Sequence, residues 1–273
     1  MSFVQPREIG ASGKNVLRVL CANIQAGATT RRPLDYIVKG WNVWLPFGKS
    51  GTLSAIASVA HGHDIVGLQE SDGGSIRSGF ACQAKLIGKM AQLPHASRQV
   101  NREIGPIMAS GNALLGRFEP TVVHSLPLPS KIPGRGIMLA EYALENGETL
   151  SVMVAHLSLS AAARLRQLQL IAALLSRTQH SILMGDLNTP ASSPEMAMLF
   201  ANTPLRYPDH DVATYPAWRP SRAIDHILVG GGVKCKTVEA ISVGGSDHLA
   251  LSATLSLPSP IVSRWGDEVE EAG

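Results

Sequence analysis

The stretch SILMGDLN, residues 181–188, starts as an apolar run and ends in polar residues. Its first half has the short, continuously apolar character of a buried strand. Asp186 and Asn188 follow where that strand ends. Asp and Asn are common turn residues, so on their own the two fit an ordinary turn as well as a functional site. The rest of the chain decides between these interpretations.

The same pattern, an apolar run that ends in a polar cluster, recurs along the chain. The runs are VLRVLCAN (16–23), DIVGLQE (64–70), GNALLGR (111–117), GIMLAEYAL (136–144), TLSVMVAHL (149–157), SILMGDLN (181–188), AIDHILV (223–229) and DHLALSATLSL (247–257). Helices are predicted between them at 52–61, 81–92 and 160–177. Asn146-Gly147 predicts a hairpin turn. Strands alternate with helices but hairpins intervene, which favours a mixed sheet with helices on its faces.

The helical patterns also predict which side chains are buried. In the helix at 81–92, Leu86 and Met90 are expected to share the apolar face. The helix at 160–177 is expected to be capped by Ser160. Its apolar face is predicted to hold Leu165, Leu168, Ala172 and Leu175.

The composition is that of a folded chain. Of the 273 residues, 45% are hydrophobic and 16% are charged, and the net charge is only +3, which excludes a disordered protein. No linker or repeat divides the chain, so we expect one domain at 1–260 and a flexible acidic tail at 261–273. The last ten residues carry a net charge of −3, so residues 1–263 carry +6. That charge weakly favours an anionic partner.

Other features point to the cytoplasm. Cys21, Cys82 and Cys235 are far apart and odd in number, so neither a disulfide framework nor a CxxC metal clip is encoded. The N-terminal residues lack the basic start and apolar run of a secretory signal. No apolar stretch approaches the roughly 18 residues of a membrane span. We therefore expect a cytoplasmic protein without a transmembrane segment.

Polar residues with metal-binding and proton-transfer chemistry stand at the ends of the apolar runs. They are Asn23, Glu70, His156, Asp186, Asn188, Asp225, Asp247 and His248. The ends of neighbouring strands converge on one edge of a layered sheet protein, so these residues are expected to form one cluster. Carboxylate and amide oxygens suit a hard ion such as Mg²⁺ or Mn²⁺. Without paired cysteines or an HExxH helix, a zinc site fits poorly.

The order of these blocks resembles that of the endonuclease/exonuclease/phosphatase superfamily of metal-dependent phosphoesterases. Seven short pieces carry the resemblance, in the order CANIQ, VGLQES, GNALLGR, VAHLS, MGDLN, IDHILV and SDHLAL. It extends from about Leu17 to Leu257. The resemblance implies an α+β fold, a four-layer α/β/β/α sandwich of two mixed, mainly antiparallel sheets. It also implies a Mg²⁺-dependent hydrolase, with Mn²⁺ as an alternative ion, that cleaves a phosphoester by in-line attack of water.

The resemblance assigns the metal ligands. Glu70 would be the principal carboxylate ligand, and Asn23 and Asp247 would complete or orient the ligand shell. Magnesium keeps several waters and also binds a substrate phosphate, so one or two carboxylates suffice.

The resemblance also assigns catalytic roles. Asp186 would orient or deprotonate the attacking water, and Asn188 would donate to a phosphoryl oxygen. His248, oriented by Asp225, would contact the scissile phosphate or transfer a proton, and His156 would stand on the leaving-group side. Which of these residues is the general base stays open.

Three further residues are assigned less specifically. Asn112 and Arg135 are candidate substrate-binding residues, although Asn112 also fits a loop brace and Arg135 an ordinary surface arginine. His226 is expected to pack and not to take part in catalysis.

The substrate and partners are the least determined features. A phosphate ester is expected, and a DNA or RNA nuclease with the same site is the nearest alternative, although no dense Lys/Arg block indicates nucleic acid. Trp41, Trp44 and Phe47 form either an apolar lip able to contact lipid or rings buried against the sheet. A non-catalytic binding protein on the same fold is the third hypothesis. Competent residues at all the matched positions argue against it.

Overall fold

Two β-sheets pack face to face and carry helices on their outer faces. The computed structural model describes residues 15–27, 49–130, 134–208 and 211–263. The strands are β1 (Val16–Asn23), β2 (Ile65–Asp72), β3 (His95–Ile104), β4 (Met108–Gly116), β5 (Val122–Pro127), β6 (Gly136–Ala143), β7 (Thr149–His156), β8 (His180–Asp186), β9 (Asp225–Gly230), β10 (Lys234–Ile241) and β11 (Ala250–Ser256). The helices are α1 (Lys49–Ala60), α2 (Gln83–Ala91), α3 (Ala161–Leu175) and α4 (Pro194–Asn202).

Both sheets are mixed and mainly antiparallel. The first has six strands in the order β10-β11-β1-β2-β4-β3, and the second has five in the order β5-β6-β7-β8-β9. Each contains one parallel pair, β1 with β2 and β7 with β8, whereas the other neighbouring strands are antiparallel. Helix α1 lies in the connection between β1 and β2, and α3 lies in that between β7 and β8. The predicted mixed, mainly antiparallel sheets are confirmed.

The alternation of side chains along each strand builds three apolar layers. Val19 and Cys21 of β1 face the second sheet, where they join Val152 and Val154 of β7 in the core between the sheets. Leu20, the residue between them, packs on the opposite face with α1 and α2. A third cluster lies between α3, α4 and the outer face of the second sheet. The predicted four-layer α/β/β/α sandwich is therefore confirmed.

Gly67 in the middle of β2 allows the two sheets to approach closely. A Cβ atom at this position would lie 2.7 Å from Sδ of Met184 and 2.9 Å from Cγ2 of Val154, both in the second sheet. Both distances are too short for non-bonded heavy atoms. Glycine is thus required by the close contact between the sheets and not by a turn.

Two helices bury different faces from those predicted. On α2, Leu86 and Met90 are 37% and 40% exposed. The prediction of their burial was wrong, because the helix instead presents Ala84, Ile87, Gly88 and Ala91 to the first sheet, and small side chains allow a close approach. On α3, Leu168, Ala172 and Leu175 are buried as predicted, whereas Leu165 is 38% exposed. The buried face of α3 is completed by Ala163, Gln167 and Ile171.

The packed part of the chain reaches past residue 260. Ile261 is buried and forms an isolated bridge with Leu144, and the Val262 amide donates to the Ala143 carbonyl at 2.9 Å. Most of the predicted tail, residues 264–273, lies outside the described residues, as do Trp41, Trp44 and Phe47. Within the described ranges, no helix is both long and apolar enough to cross a bilayer.

One end of the sandwich collects the polar strand ends. In the second sheet, His156 at the end of β7 pairs with Asp186 at the end of β8, and Asp186 pairs with Asp225 at the start of β9. In the first sheet, β1 ends at Asn23 beside Gln69 of β2. The parallel pairing in each sheet brings the ends of its two strands to the same edge.

Candidate active site

Asp186 lies at the centre of a buried polar cluster that joins the two sheets. Its Oδ2 accepts a hydrogen bond from Nδ2 of Asn23 at 3.2 Å and lies 3.3 Å from Nε2 of His156. The same oxygen is 4.0 Å from Nε2 of His248. Oδ1 accepts from the backbone amide of Asn188 at 3.0 Å. Residues from the ends of β1, β7 and β8 and from the loop before β11 therefore converge on one carboxylate.

These contacts keep the Asp186 carboxylate ionised. Burial alone would raise its pKa. The hydrogen bond from His156, the charge of His248 and the Asn23 amide together outweigh burial, so the pKa lies well below the usual range. An ionised, hydrogen-bonded carboxylate can hold a water molecule in a fixed orientation or accept its proton.

His248 and Asp225 form the second polar pair. Nδ1 of His248 lies 2.8 Å from Oδ2 of Asp225, and the same oxygen accepts from Oγ1 of Thr214 at 2.5 Å. Burial acts to lower the pKa of His248, but the charges of Asp225, Asp186 and Asp247 and the Asp225 hydrogen bond raise it above its ordinary value. The raised pKa favours the imidazolium form of His248, which Asp225 orients so that Nε2 lies 4.0 Å from Oδ2 of Asp186.

His156 is oriented by Arg135. Nη1 of Arg135 lies 2.8 Å from both ring nitrogens of His156. A guanidinium only donates, so it donates to the ring nitrogen that carries the lone pair. Nε2 of His156 faces Asp186, an acceptor, and therefore holds the proton, which leaves Nδ1 to accept from Arg135. Arg135 thus fixes the tautomer in which His156 donates toward Asp186.

Asn112 and Asn188 brace the loops of the site. Nδ2 of Asn112 donates to the Gly136 carbonyl at 2.8 Å and to Oε1 of Gln99 at 3.3 Å. Because Gly136 follows Arg135, Asn112 holds the backbone that carries that arginine. Nδ2 of Asn188 donates to the Leu157 carbonyl at 3.0 Å, and its second hydrogen is the one left for a ligand.

Two of the predicted metal ligands, Asn23 at the end of β1 and Asp247 in the loop before β11, are joined by contacts between their segments. The Asn23 carbonyl accepts from Oγ of Ser246 at 2.6 Å, and the Asp247 amide donates to Oε1 of Gln25 at 3.3 Å. Oδ1 of Asp247 lies 3.9 Å from Nε2 of His248. These contacts tie the loop before β11 to the end of β1.

Glu70 lies at a β-bulge in β2. Its φ angle is 57°, and the pairing between β2 and β4 shifts register between Leu68 and Ser71. Such a bulge changes the direction of one side chain without breaking the sheet. Glu70 lines the same cleft as Arg135 and His156.

The chemistry of the cluster fits a divalent cation. Asp186, Asp225 and Asp247 are 2%, 1% and 3% exposed, so their charges need compensation. Oδ1 of Asp225 is buried and has no hydrogen-bond partner among the described residues. Ligand atoms of Asp186, Asp225 and His248 lie within 4.8 Å of one another. This compact group shares no residue with the predicted set of Asn23, Glu70 and Asp247, although Asn23 donates a hydrogen bond to its Asp186.

Several supporting residues were not identified from the sequence. The buried Gln83 of α2 donates to the Ala26 carbonyl at 2.7 Å and accepts from the Asp72 amide at 2.8 Å, so it ties the loop after β1 to the end of β2. Thr214 and Gln25 orient Asp225 and the Asp247 loop. Gln25 lies two residues after Asn23, but Gln83 and Thr214 stand in no recognisable block.

His226 packs as expected. Its Nε2 lies 2.7 Å from the Thr189 carbonyl, and its ring contacts Tyr207 edge to face with 5.4 Å between centroids. Burial lowers its pKa, which favours a neutral ring.

A cleft of about 560 Å³ opens beside the cluster. The Glu70, Asn112, Arg135 and His156 side chains contribute to its inner end. Further out, the described residues that line it are Asn101, Arg102, Met108, Ser110, Gly111, Ser130, Gly134, Ser158, Leu159, Ser160, Ala162, Ala163 and Arg166. Of the predicted residues, His156 and the two substrate-binding candidates Asn112 and Arg135 therefore line one cavity large enough for a small organic phosphate.

Solved structures share this architecture. An endonuclease/exonuclease/phosphatase from Beutenbergia cavernae is 18% identical, with a TM-score of 0.70 over 89% of this chain and 72% of that chain. A mannosyl-6-phosphatase from Bacteroides thetaiotaomicron is 19% identical, with a TM-score of 0.65 over 88% of this chain and 100% of that chain. The catalytic domain of human Nocturnin, solved with a sulfate anion, is 18% identical, with a TM-score of 0.64 over 89% and 93% of the two chains.

The two-sheet fold and the match of the sequence to one family together define a hydrolytic phosphoesterase. A sequence model of the Endonuclease/Exonuclease/phosphatase family matches residues 40–248. The chain belongs to that family, and the resemblance seen in its sequence blocks is confirmed. A comparison with curated protein sequences found no match.

Proposed function

We propose that this protein is a Mg²⁺-dependent hydrolase that cleaves a phosphoester by in-line attack of water. The observation that carries the proposal is the convergence of His156, His248 and Asn23 on the buried carboxylate of Asp186. One carboxylate with two histidines at different positions provides for both proton removal from water and proton delivery to a leaving group.

The chain's own residues account for the proton transfers. Asp186, held by Asn23 and the Asn188 amide, orients or deprotonates the attacking water. The imidazolium of His248, held by Asp225, donates to the phosphoryl group as negative charge develops there. His156, with its donor fixed by Arg135, stands on the leaving-group side.

Mg²⁺ would be held by Glu70, Asn23 and Asp247 together with the central carboxylates. When bound, it supplies positive charge that stabilises the oxygens of the phosphoryl group. Oxygen ligands dominate the set, which suits Mg²⁺ or Mn²⁺ better than a soft metal.

A panel of phosphoesters tests the proposal. We expect hydrolysis of at least one of p-nitrophenyl phosphate, bis(p-nitrophenyl) phosphate, sugar phosphates or inositol phosphates in Mg²⁺, and none in EDTA. Glu70→Ala and His248→Ala should abolish turnover while circular dichroism shows an unchanged fold. A wild-type protein inactive on the whole panel in Mg²⁺ and in Mn²⁺ would support the non-catalytic alternative.

A nuclease with the same site is the second candidate. The exposed Arg102 and Arg166 along the cleft favour it, since nucleases contact phosphates through basic side chains. Binding that weakens steeply with salt, together with cleavage of an oligonucleotide, would support this alternative. An absence of cleavage of any polynucleotide would exclude it.

A further inference from the structure

Two arginines line the outer cleft without any acidic partner in the described part of the chain. Arg102 belongs to β3 and Arg166 to α3, and both line the cavity that reaches Arg135 and His156. Among the described residues, neither guanidinium forms an ion pair or a hydrogen bond with another side chain or with the backbone. Their charges face a common space.

Two other arginines of this chain are each paired with an acid. Arg164, two residues before Arg166 on the same helix, forms an ion pair with Glu195 at 2.7 Å. Arg117 lies 3.4 Å from Asp64. By contrast, the one acid among the described residues of the cleft is Glu70, at its inner end. The outer cleft is thus a region of uncompensated positive charge.

Arg102 also lies next to the substrate-binding end of the cleft. A Cβ atom on Gly134 would come within 3.0 Å of Cβ and 3.2 Å of Cδ of Arg102, so the stem of Arg102 covers the residue before Arg135. The guanidiniums of Arg102 and Arg135 are close enough to interact. Burial lowers the pKa of Arg135 most, and the positive charge of Arg102 lowers it further. An anion between them would relieve that repulsion.

We propose that the cleft binds a second anionic group of the substrate, a phosphate held by Arg102 and Arg166, while the reacting phosphoester lies at Arg135 and Asp186. This inference rests on the proposed function for the identity of the reacting group. Hydroxyl groups along the cleft, from Ser110, Ser130 and Ser160, suit a polar linking part between the two phosphates. The substrate class is a polar compound with two phosphates, supplied either by a small bisphosphate or by adjacent nucleotides.

Binding in EDTA tests the inference without turnover. Calorimetry should show that fructose 1,6-bisphosphate binds wild-type protein about tenfold more tightly than fructose 6-phosphate, because two charge-assisted contacts at exposed positions are added. The Arg102→Gln/Arg166→Gln double variant should lose this preference. Arg177→Gln removes the same charge from the far end of the α3 region, outside the cleft lining, and should retain it.

A second pair of probes identifies the source of the phosphate. Thymidine dinucleotide with a 5′-phosphate carries one phosphate more than the same dinucleotide without it, just as fructose 1,6-bisphosphate carries one more than fructose 6-phosphate. A preference for the extra phosphate in either pair, lost in the double variant, supports the inference and assigns the source. Equal affinities within both wild-type pairs, or a preference that survives in the double variant, overturn it.

Hydrolysis of p-nitrophenyl phosphate and bis(p-nitrophenyl) phosphate in Mg²⁺ separates this inference from the proposed function. Turnover of either compound with no preference for the second phosphate leaves the hydrolase proposal intact and overturns the second-phosphate site. A clear binding preference without turnover of any phosphoester overturns the hydrolase proposal and leaves the anion-binding cleft.

Discussion

Nδ2 of Asn23 donates to Oδ2 of Asp186 at 3.2 Å, a contact between residues 163 positions apart in the chain. Asn23 ends β1 of the first sheet and Asp186 ends β8 of the second. The hydrogen bond therefore crosses from one sheet to the other. It makes the geometry of the site depend on how closely the two sheets pack.

Asp186→Asn is expected to abolish hydrolysis with little effect on folding. The substitution keeps the size of the side chain but removes the charge that holds or deprotonates water, so kcat should fall by about 10²–10⁴-fold. Steady-state kinetics in Mg²⁺ measures the loss, and thermal unfolding by circular dichroism checks the fold. Asp211→Asn, at a residue outside the cleft lining, is the control that should keep full activity. A variant that retains more than a tenth of wild-type kcat would show that another residue serves as the base.

Mg²⁺ is expected to stabilise the protein against heat. The ion binds the folded acidic cluster, and at about ten times its Kd it should add ~1.4 kcal/mol to the free energy of unfolding. Differential scanning fluorimetry should show a rise of a few degrees in Tm. Glu70→Gln should reduce this rise, whereas Glu148→Gln, at an exposed acid that pairs with His180, should not. An identical rise in all three proteins would place the ion elsewhere.

Asn112→Ala is expected to impair substrate binding through Arg135. It removes the donor to the Gly136 carbonyl and should lower kcat/KM by about tenfold to a hundredfold. Combining it with Arg135→Ala should add little, because both changes act on the same contact. The double-mutant cycle on kcat/KM measures this coupling. Asn146→Ala, in an exposed turn, controls for the loss of an asparagine, and fully additive effects would contradict the bracing role.

The strand ends of the site could be predicted from the sequence because they follow recognisable apolar runs. Asn23, His156 and Asp186 each end a buried strand and Asp225 begins one, so all four were identifiable. The parallel pairing of β7 with β8 puts His156 beside Asp186, and the antiparallel pairing of β8 with β9 puts Asp225 beside Asp186. The prediction for α2 was wrong because the sequence pattern does not show which face of a helix packs on the sheet. Leu86 and Met90 are large apolar residues, but the face of the helix that packs on the sheet consists of Ala84, Ile87, Gly88 and Ala91.

Contacts made by residues outside the recognisable sequence blocks could not be predicted. Gln83 bridges Ala26 and Asp72 through hydrogen bonds to backbone groups, which any glutamine could make and which leave no pattern in the sequence. Arg102 lies on strand β3 of the first sheet, and Arg166 lies on helix α3, 64 positions further along the chain. Only the tertiary fold shows that they line one cleft.

Gly67→Ala is expected to destabilise the protein. The added Cβ would overlap Met184 and Val154 in the facing sheet, and overpacking of this kind costs about 1–3 kcal/mol. Urea denaturation followed by circular dichroism measures the change. Gly62→Ala serves as the matched control, since its Cβ would meet only the Val59 carbonyl at an ordinary 3.7 Å. Equal stability of the two variants would show that the sheets separate readily at Gly67.

The buried His63 is expected to make stability fall in mild acid. Its Nδ1 donates to the Val59 carbonyl at 2.8 Å, and Nε2 lies 2.9 Å from Oγ of Ser252. The Ser252 hydroxyl can donate to a neutral ring or accept from a protonated one, so it is burial, and not this hydrogen bond, that disfavours the charged ring. His63 lies outside the cleft lining, so its titration is separable from catalysis.

The sign of the effect follows from the groups around His63. Burial lowers its pKa most strongly and Arg18 lowers it further, whereas the Val59 carbonyl, Asp64 and Glu239 raise it, with a net lowering. Above pH 6.5 the ring is neutral in both the folded and unfolded states and contributes no pH dependence. As the pH falls below 6.5, the unfolded chain binds the proton first, so the free energy of unfolding decreases. Urea unfolding at pH 7.5, 6.5 and 5.5 should therefore show a smaller loss of stability in His63→Gln than in wild type, and an equal loss in both would contradict the neutral buried ring.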